Sequence, residues 1–375
     1  MPYNRAFYTL ANYLGIVPEY DALRGKPSSP CNRIYRFALF AFTVVGSVYN
    51  VYGDFAYRFP NLQTNVIVLN CLFKFGTYFI CTSTILGALL WNQEKYKDFF
   101  RIMNSVDQRL YMKSNKESMN LETATINILM ITVIVLEIYV QVSIHGVNLL
   151  QYSIYEYFQS LFMTISCLVQ YNFLLSVVIR LNHLNVLLEK KLQVVGNEVE
   201  HTKKKYKWFT DRSIETAPQI YTSITELIDI FNNIFGWKIF YTTIRTIVQI
   251  LLSMNNIIIY GIEKSTIMSD YKYFNIAVYV LWLMMEIIYC VILASGANKI
   301  LDKSQETLLI SYKILCLLPV ETNCNERTNL NFLVQEISFR PLILSAAGFF
   351  TIDYTMVLTI ITSVASYLIV VIQFN

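Results

Sequence analysis

Seven stretches stay predominantly apolar for about 20 residues or more, the length a helix needs to cross a bilayer core. They are 34–54, 64–91, 124–149, 152–180, 238–261, 275–299 and 353–373. None shows the regular alternation of a half-buried strand, and a helix satisfies its own backbone polar groups where lipid offers no partner. The pattern predicts an all-α membrane protein with seven transmembrane helices. Helical periodicity also continues past the fourth stretch, through Leu181, Leu184, Leu188, Leu192 and Val195, and leads into the fifth through Ile220, Ile224, Leu227, Phe231 and Ile234. Helices that project past the bilayer need cover for such stripes. Leu308, Leu309, Tyr312 and Leu315, with Leu333, Val334 and Ile337, are placed to supply it. The expectation is a helical anchor bundle, packed within the chain alone or also joining subunits. The organisation then divides into an N-terminal segment (1–33), six spans with their extensions (34–300), anchor helices including the first half of a split seventh helix (301–350), and its second half (351–375). A helix beginning near Pro341 is expected before the break at Gly348–Asp353, with Asp353 as N-cap of the last span.

Charge adds direction. With 55% hydrophobic and 15% charged residues, the chain carries more apolar side chain than a soluble core requires. Of 30 lysines and arginines, 25 fall on one side of the seven-span layout, 3 (Arg58, Lys264, Lys272) on the other, and 2 (Lys74, Arg245) within spans. The positive-inside rule makes the rich side cytoplasmic, which puts the N-terminus inside and the C-terminus outside, in a multi-pass protein of the cell membrane. Residues 1–33, with four prolines and no compact apolar core, do not read as a signal peptide. This orientation is opposite to that of a G-protein-coupled receptor, and the third and seventh spans lack the Asp-Arg-Tyr and Asn-Pro-x-x-Tyr endings of that class. Lys203–Lys205 with Lys207 read most simply as a solvated turn near anionic lipid. The net charge of +4 expresses orientation rather than nucleic-acid binding. None of the seven cysteines is placed for an extracellular disulfide, and no His/Cys cluster suggests a metal. No nucleophile–base pair stands out, so an enzyme is not expected and no cofactor is implied.

The last span carries the most specific pattern. At 100° per residue, Thr355, Thr359, Thr362, Ser366 and Gln373 fall within about 60° of one another, with Val370 at the edge and Phe374 a step further round. Val357, Leu358, Val364, Leu368 and Ile372 lie opposite. Such a hydroxyl stripe either bonds its own helix and serves packing, or faces water with Val370 and Phe374 as an apolar constriction. The second reading needs several copies around an axis, because one helix encloses no water.

The ending Ser366-Tyr367, five apolar residues, then Gln373-Phe374 resembles the signature of insect gustatory receptors, Thr-Tyr followed by apolar residues and Gln-Phe, with Ser in place of Thr. Length, seven spans, an inside N-terminus and Phe235-Gly236-Trp237 at the fifth span fit the same family. The resemblance implies a tastant-gated, non-selective cation channel, a homotetramer or heteromer with related subunits, whose split seventh helix lines the pore. It matches Val370 and Phe374 to the gate and Gln373 to the glutamine beside it. It also implies a ligand pocket among the outer halves of spans two to six. There the residues offer Lys74, Glu137 and Glu286 near mid-depth, and Gln141 and His145 on the face of Glu137. Tyr78, Tyr155, Gln159, Tyr279 and Trp282 are placed to line a cavity with them. A Lys74–carboxylate pair and an interfacial aromatic belt explain much of this without a ligand. An aromatic, weakly polar cavity suits a sugar or an apolar bitter compound. The alternative is a seven-helix transporter or non-channel sensor, although no internal repeat supports a transporter.

Overall fold

The computed structural model describes residues 5–18, 30–59, 64–112, 121–145, 147–198, 207–262, 269–318 and 324–374. The elements are α1 (Arg5–Tyr13), α2 (Pro30–Gly53) running into a π-helical turn at Asp54–Arg58, α3 (Thr64–Leu89), α4 (Gln93–Arg109), α5 (Leu121–His145), α6 (Val147–Glu198), α7 (Lys207–Ile262), α8 (Ser269–Leu317), α9 (Cys324–Phe339), the two-residue strands β1 (Ser345–Ala346) and β2 (Phe350–Thr351), and α10 (Tyr354–Phe374). The seven apolar stretches lie in α2, α3, α5, α6, α7, α8 and α10. The third runs into the start of α6, because α5 ends at His145. Four helices among the described residues carry long apolar windows with few charges, in α2, α3, α6 and α8. The apolar windows of α5 and α10 are shorter, and α7 carries Lys238 and Arg245 turned toward protein rather than lipid.

With 52, 56 and 49 residues, α6, α7 and α8 run roughly 75–85 Å, against a hydrocarbon core of about 30 Å, so each extends well beyond a bilayer. Their extensions pack on one another and on α4 and α9. Leu181, Leu184, Leu188 and Val195 of α6, Ile220, Ile224, Leu227, Phe231 and Ile234 of α7, and Leu333, Val334 and Ile337 of α9 are all buried there. On α8 the inward positions are Ile310 and Ile314, with Leu308 and Leu315 half-buried, while Leu309 and Tyr312 face outward. The bundle is sealed by α4, a helix the seven-span reading passes over. Its Tyr96, Phe99, Phe100, Met103 and Val106 are buried at helical spacing.

Polar side chains inside this extension are matched in pairs. Arg180, with its side chain fully buried, donates to Asp107 at 2.8 Å and to the Ser176 carbonyl at 2.6 Å. Tyr221 and Ser304 share a hydrogen bond of 2.9 Å between α7 and α8. Burial pushes the Tyr221 phenol above its ordinary pKa and that bond pulls the other way.

The seventh stretch differs from expectation at Pro341. No helix begins there. Instead α9 ends at Phe339, and residues 341–344 lead without helix into β1, with the Ile343 N–H bonded to the Pro341 carbonyl at 2.9 Å in a tight turn, as a proline favours at a helix exit. The antiparallel β1–β2 pair then turns the chain through Ala347 (φ +52°) and Gly348 (φ +81°). The break is a small hairpin, and Asp353 follows as expected. Its Oδ1 accepts the backbone N–H of Thr355 at 2.9 Å and of Met356 at 3.2 Å.

Removing one member of a buried pair strands the other, at a cost of about 3 kcal/mol. Asp107→Ala should therefore lower the thermal unfolding midpoint of the detergent-solubilised protein markedly. The double change Asp107→Leu with Arg180→Met should recover most of the loss, and a double variant as unstable as the single one would refute the pairing argument.

Candidate functional site

The hairpin is bound to one face of α7. The Asn232 amide donates to the Ile343 carbonyl at 3.0 Å and its Oδ1 accepts the Ser345 N–H at 3.0 Å, so a side chain pairs with β1 as a neighbouring strand would. One turn on, Gly236 lets the two backbones touch. A Cβ there would lie 2.9 Å from the Ala347 nitrogen, closer than real Cβ atoms come to backbone. Beyond it, Trp237 meets Phe349 edge-on with ring centres 5.8 Å apart, and Phe240 stacks on Phe349 at 4.5 Å. The Phe235-Gly236-Trp237 motif is thus the seat of the hinge, with Gly236 giving close approach and Trp237 an aromatic clamp. Sequence reasoning singles out the motif but not Asn232, which follows no periodic pattern.

From this seat α10 rises along α8 and α7. Met356, Ile360 and Val364 are its buried residues among those described, with Val357 half-buried beside them. Of the opposite face expected above, Val364 packs inward and Leu358 is exposed. Thr359, Thr362 and Ser366 are exposed as well, and each hydroxyl donates into its own helix. Thr359 reaches the Thr355 carbonyl at 2.9 Å, Thr362 the Leu358 carbonyl at 3.0 Å, and Ser366 the Thr362 carbonyl at 2.9 Å. Self-bonding uses their protons and leaves oxygen lone pairs facing out. Val370, Gln373 and Phe374 belong to the α10 backbone, and their side chains lie outside the described residues.

The expected ligand residues fall into separate groups. Lys74 is buried between α2, α3 and α6, where its Nζ pairs with Asp54, lies 3.2 Å from Glu156 and donates to Asn50 Oδ1 at 2.8 Å. Tyr78 donates to the same Asn50 oxygen at 2.7 Å. Along that seam Tyr155 fills the space a side chain at Gly46 would take and donates to the Thr43 carbonyl at 2.6 Å; Gln159 is buried one turn on. Between α5 and α8 the Trp282 indole donates to Glu137 at 2.9 Å, with Tyr279 half-buried one turn away. Glu286 is fully buried between α7 and α8, 2.9 Å from Arg245, and its other oxygen accepts from Thr246 at 2.8 Å. Arg245 also donates to Thr77 at 2.9 Å and lies over the Phe73 ring, tying α7 to α3. The side chains of Gln141 and His145 lie outside the described residues. The partners Asp54, Glu156 and Arg245 escape single-sequence reading, because which charge meets which depends on how the helices register.

The architecture has relatives. The family profile described as 7tm Chemosensory receptor matches residues 5–375. In fold the chain is similar to the insect olfactory receptor OR5 from Machilis hrabei, at 12% identity and a TM-score of 0.66, over 99% of this chain and 98% of that one. The same receptor in complex with eugenol is similar at 12% identity and a TM-score of 0.62, with the same coverage. No curated protein sequence is similar enough to count as a relative. Identity this low shows a shared fold and nothing finer, whereas the family profile spans almost the whole chain. The buried charge pairs, the hinge and the lightly held last helix are therefore features of a multi-pass membrane protein that belongs to the 7tm chemosensory receptor family.

Proposed function

We propose that this chain is a gustatory-type receptor, one subunit of a tastant-gated, non-selective cation channel with α10 lining the pore. The observation that carries this reading is the packing of α10. One narrow stripe, Met356, Ile360 and Val364, holds it to its own subunit, while the oxygens of Thr359, Thr362 and Ser366 are uncovered. Hydrocarbon is a poor neighbour for that face, and a ring of copies around water is a good one. Four copies follow from the family resemblance, as a homotetramer or with related subunits, with the N-terminus inside. The gustatory assignment rests on Ser366-Tyr367 and Gln373-Phe374, with Val370 and Phe374 as the constriction and Gln373 beside it.

The tastant, a sugar or bitter compound, binds among the outer halves of α3, α5, α6, α7 and α8. Lys74, Tyr78, Glu137, Gln141, His145, Tyr155, Gln159, Tyr279, Trp282 and Glu286 are the candidate contacts. A ligand opens the pore only as far as it prefers the open arrangement. Displacement of α7 has a direct mechanical outlet, because Asn232, Gly236 and Trp237 hold the hairpin that ends in the Asp353 cap of α10.

Expressed alone in cells of low background conductance, the chain should give a reversible cation current when the right sugar or bitter compound is applied. Silence with surface expression confirmed, from this chain alone and with related subunits, would count against the channel. Phe374→Ala should raise current in the absence of ligand; an unchanged closed-state leak would remove the gate assignment. Asn232→Leu deletes two hydrogen bonds of about 1 kcal/mol each and should weaken coupling by up to about thirtyfold. Ligand-evoked current should fall while radioligand binding is kept, whereas equal loss of both would mean that Asn232 only supports the fold.

A further inference from the structure

The cations drawn into the helical bundle differ in how they are balanced. Lys74 has Asp54 and Glu156, Arg180 has Asp107, Lys191 has Glu326, and Arg245 has Glu286. Lys238 is not balanced in this way. Its Nζ donates to the hydroxyl of Ser166, and no carboxylate lies within ion-pair distance of it among the described residues. Lys238 and Ser166 border a cavity of about 20 Å³ between α6, α7 and α8, closed on one side by Met356 in the first turn of α10. That volume holds one particle the size of a water molecule.

The rest of the lining is mostly apolar, but two polar atoms in it are short of partners. Thr242 Oγ1 and Gln170 Oε1 are buried without a hydrogen bond, and Gln170 is only 2% exposed. The Gln170 amide oxygen has no partner to fix the orientation of the group, so the amide can turn its N–H₂ to the cavity. Ser166 accepts from Lys238 and keeps its own O–H to donate. Arg245 also edges the cavity, with its charge matched by Glu286. The lining therefore has one uncompensated positive charge and a surplus of donors. A water molecule would satisfy Thr242 or Gln170 but leave the charge unbalanced. A carboxylate or phosphate needs more room.

We propose that this cavity binds a monovalent anion of halide size, held by Lys238, Ser166, Thr242 and Gln170. Because Met356 belongs to α10, an occupied cavity also supports the first turn of that helix. The site does not depend on what ligand the receptor senses.

The test is thermal unfolding of the purified full-length protein in detergent, at constant ionic strength, with chloride or bromide replacing gluconate. Wild type should unfold about 3 °C or more higher in saturating halide, with a rise that saturates. Lys238→Met should unfold at one temperature in both salts, since a buried lysine without its counter-ion gains nothing from halide. Thr242→Val should keep the rise but need several-fold more halide to reach its midpoint. Equal unfolding of wild type in halide and gluconate would overturn the proposal and leave water in the cavity. A halide rise that persists in Lys238→Met would equally overturn it. Should Lys238→Met fail to fold, Thr242→Val decides, an unchanged halide midpoint being the adverse result.

Discussion

One carboxamide governs how the two halves of this molecule meet. Asn232 bonds both the carbonyl of Ile343 and the N–H of Ser345, and so fixes the hairpin against α7 where α9 hands over to α10. Without it a short strand would lie beside a helix with its edge unpaired. Gly236 makes the approach possible and the Trp237, Phe240 and Phe349 rings fill the rest. The position of α10 is inherited from this seat, because its own packing on α7 and α8 is slight.

Elsewhere the fold is governed by the cost of charge in a low-dielectric interior. Three groups of packed helices in the membrane region carry compact polar sets: Lys74 with Asp54 and Asn50, Arg245 with Glu286 and Thr77, and Trp282 with Glu137. These sets contribute little net stability beyond repaying desolvation, yet they penalise wrong registers heavily, since a slipped helix leaves a bare charge. They act as alignment keys between helices that are otherwise joined by interchangeable apolar surfaces. The extensions outside the bilayer follow the same rule with Arg180 and Asp107, on a larger apolar core.

The spans were legible in the sequence because the bilayer imposes their length and composition, and the stripes from Leu181 and Ile220 were legible because their partners are protein. Other features needed three dimensions. The seal formed by α4 was present as a pattern, Tyr96 to Val106, but sat in a segment that charge had assigned to a connection. Pro341 read as a helix start because proline favours a first turn, yet it equally follows a helix end, and only the hairpin distinguishes the two. The intramembrane ionisable residues Lys74, Glu137 and Glu286 were picked out correctly as buried or half-buried. Their partners were not, since Asp54 sits in a π-helical turn and Arg245 on another helix, at distances along the chain that carry no periodicity.

The hydroxyls of α10 have a last consequence. Thr359, Thr362 and Ser366 have all committed their protons to carbonyls of their own helix, so what they present outward is oxygen alone. A passage built from such faces would be lined by the negative ends of dipoles and by no group that ionises near neutrality. It would hold each passing ion weakly and for a short time, with little power to tell one monovalent cation from another. Its conductance would stay nearly constant across physiological pH, so that acidity as a stimulus would have to act elsewhere in the molecule.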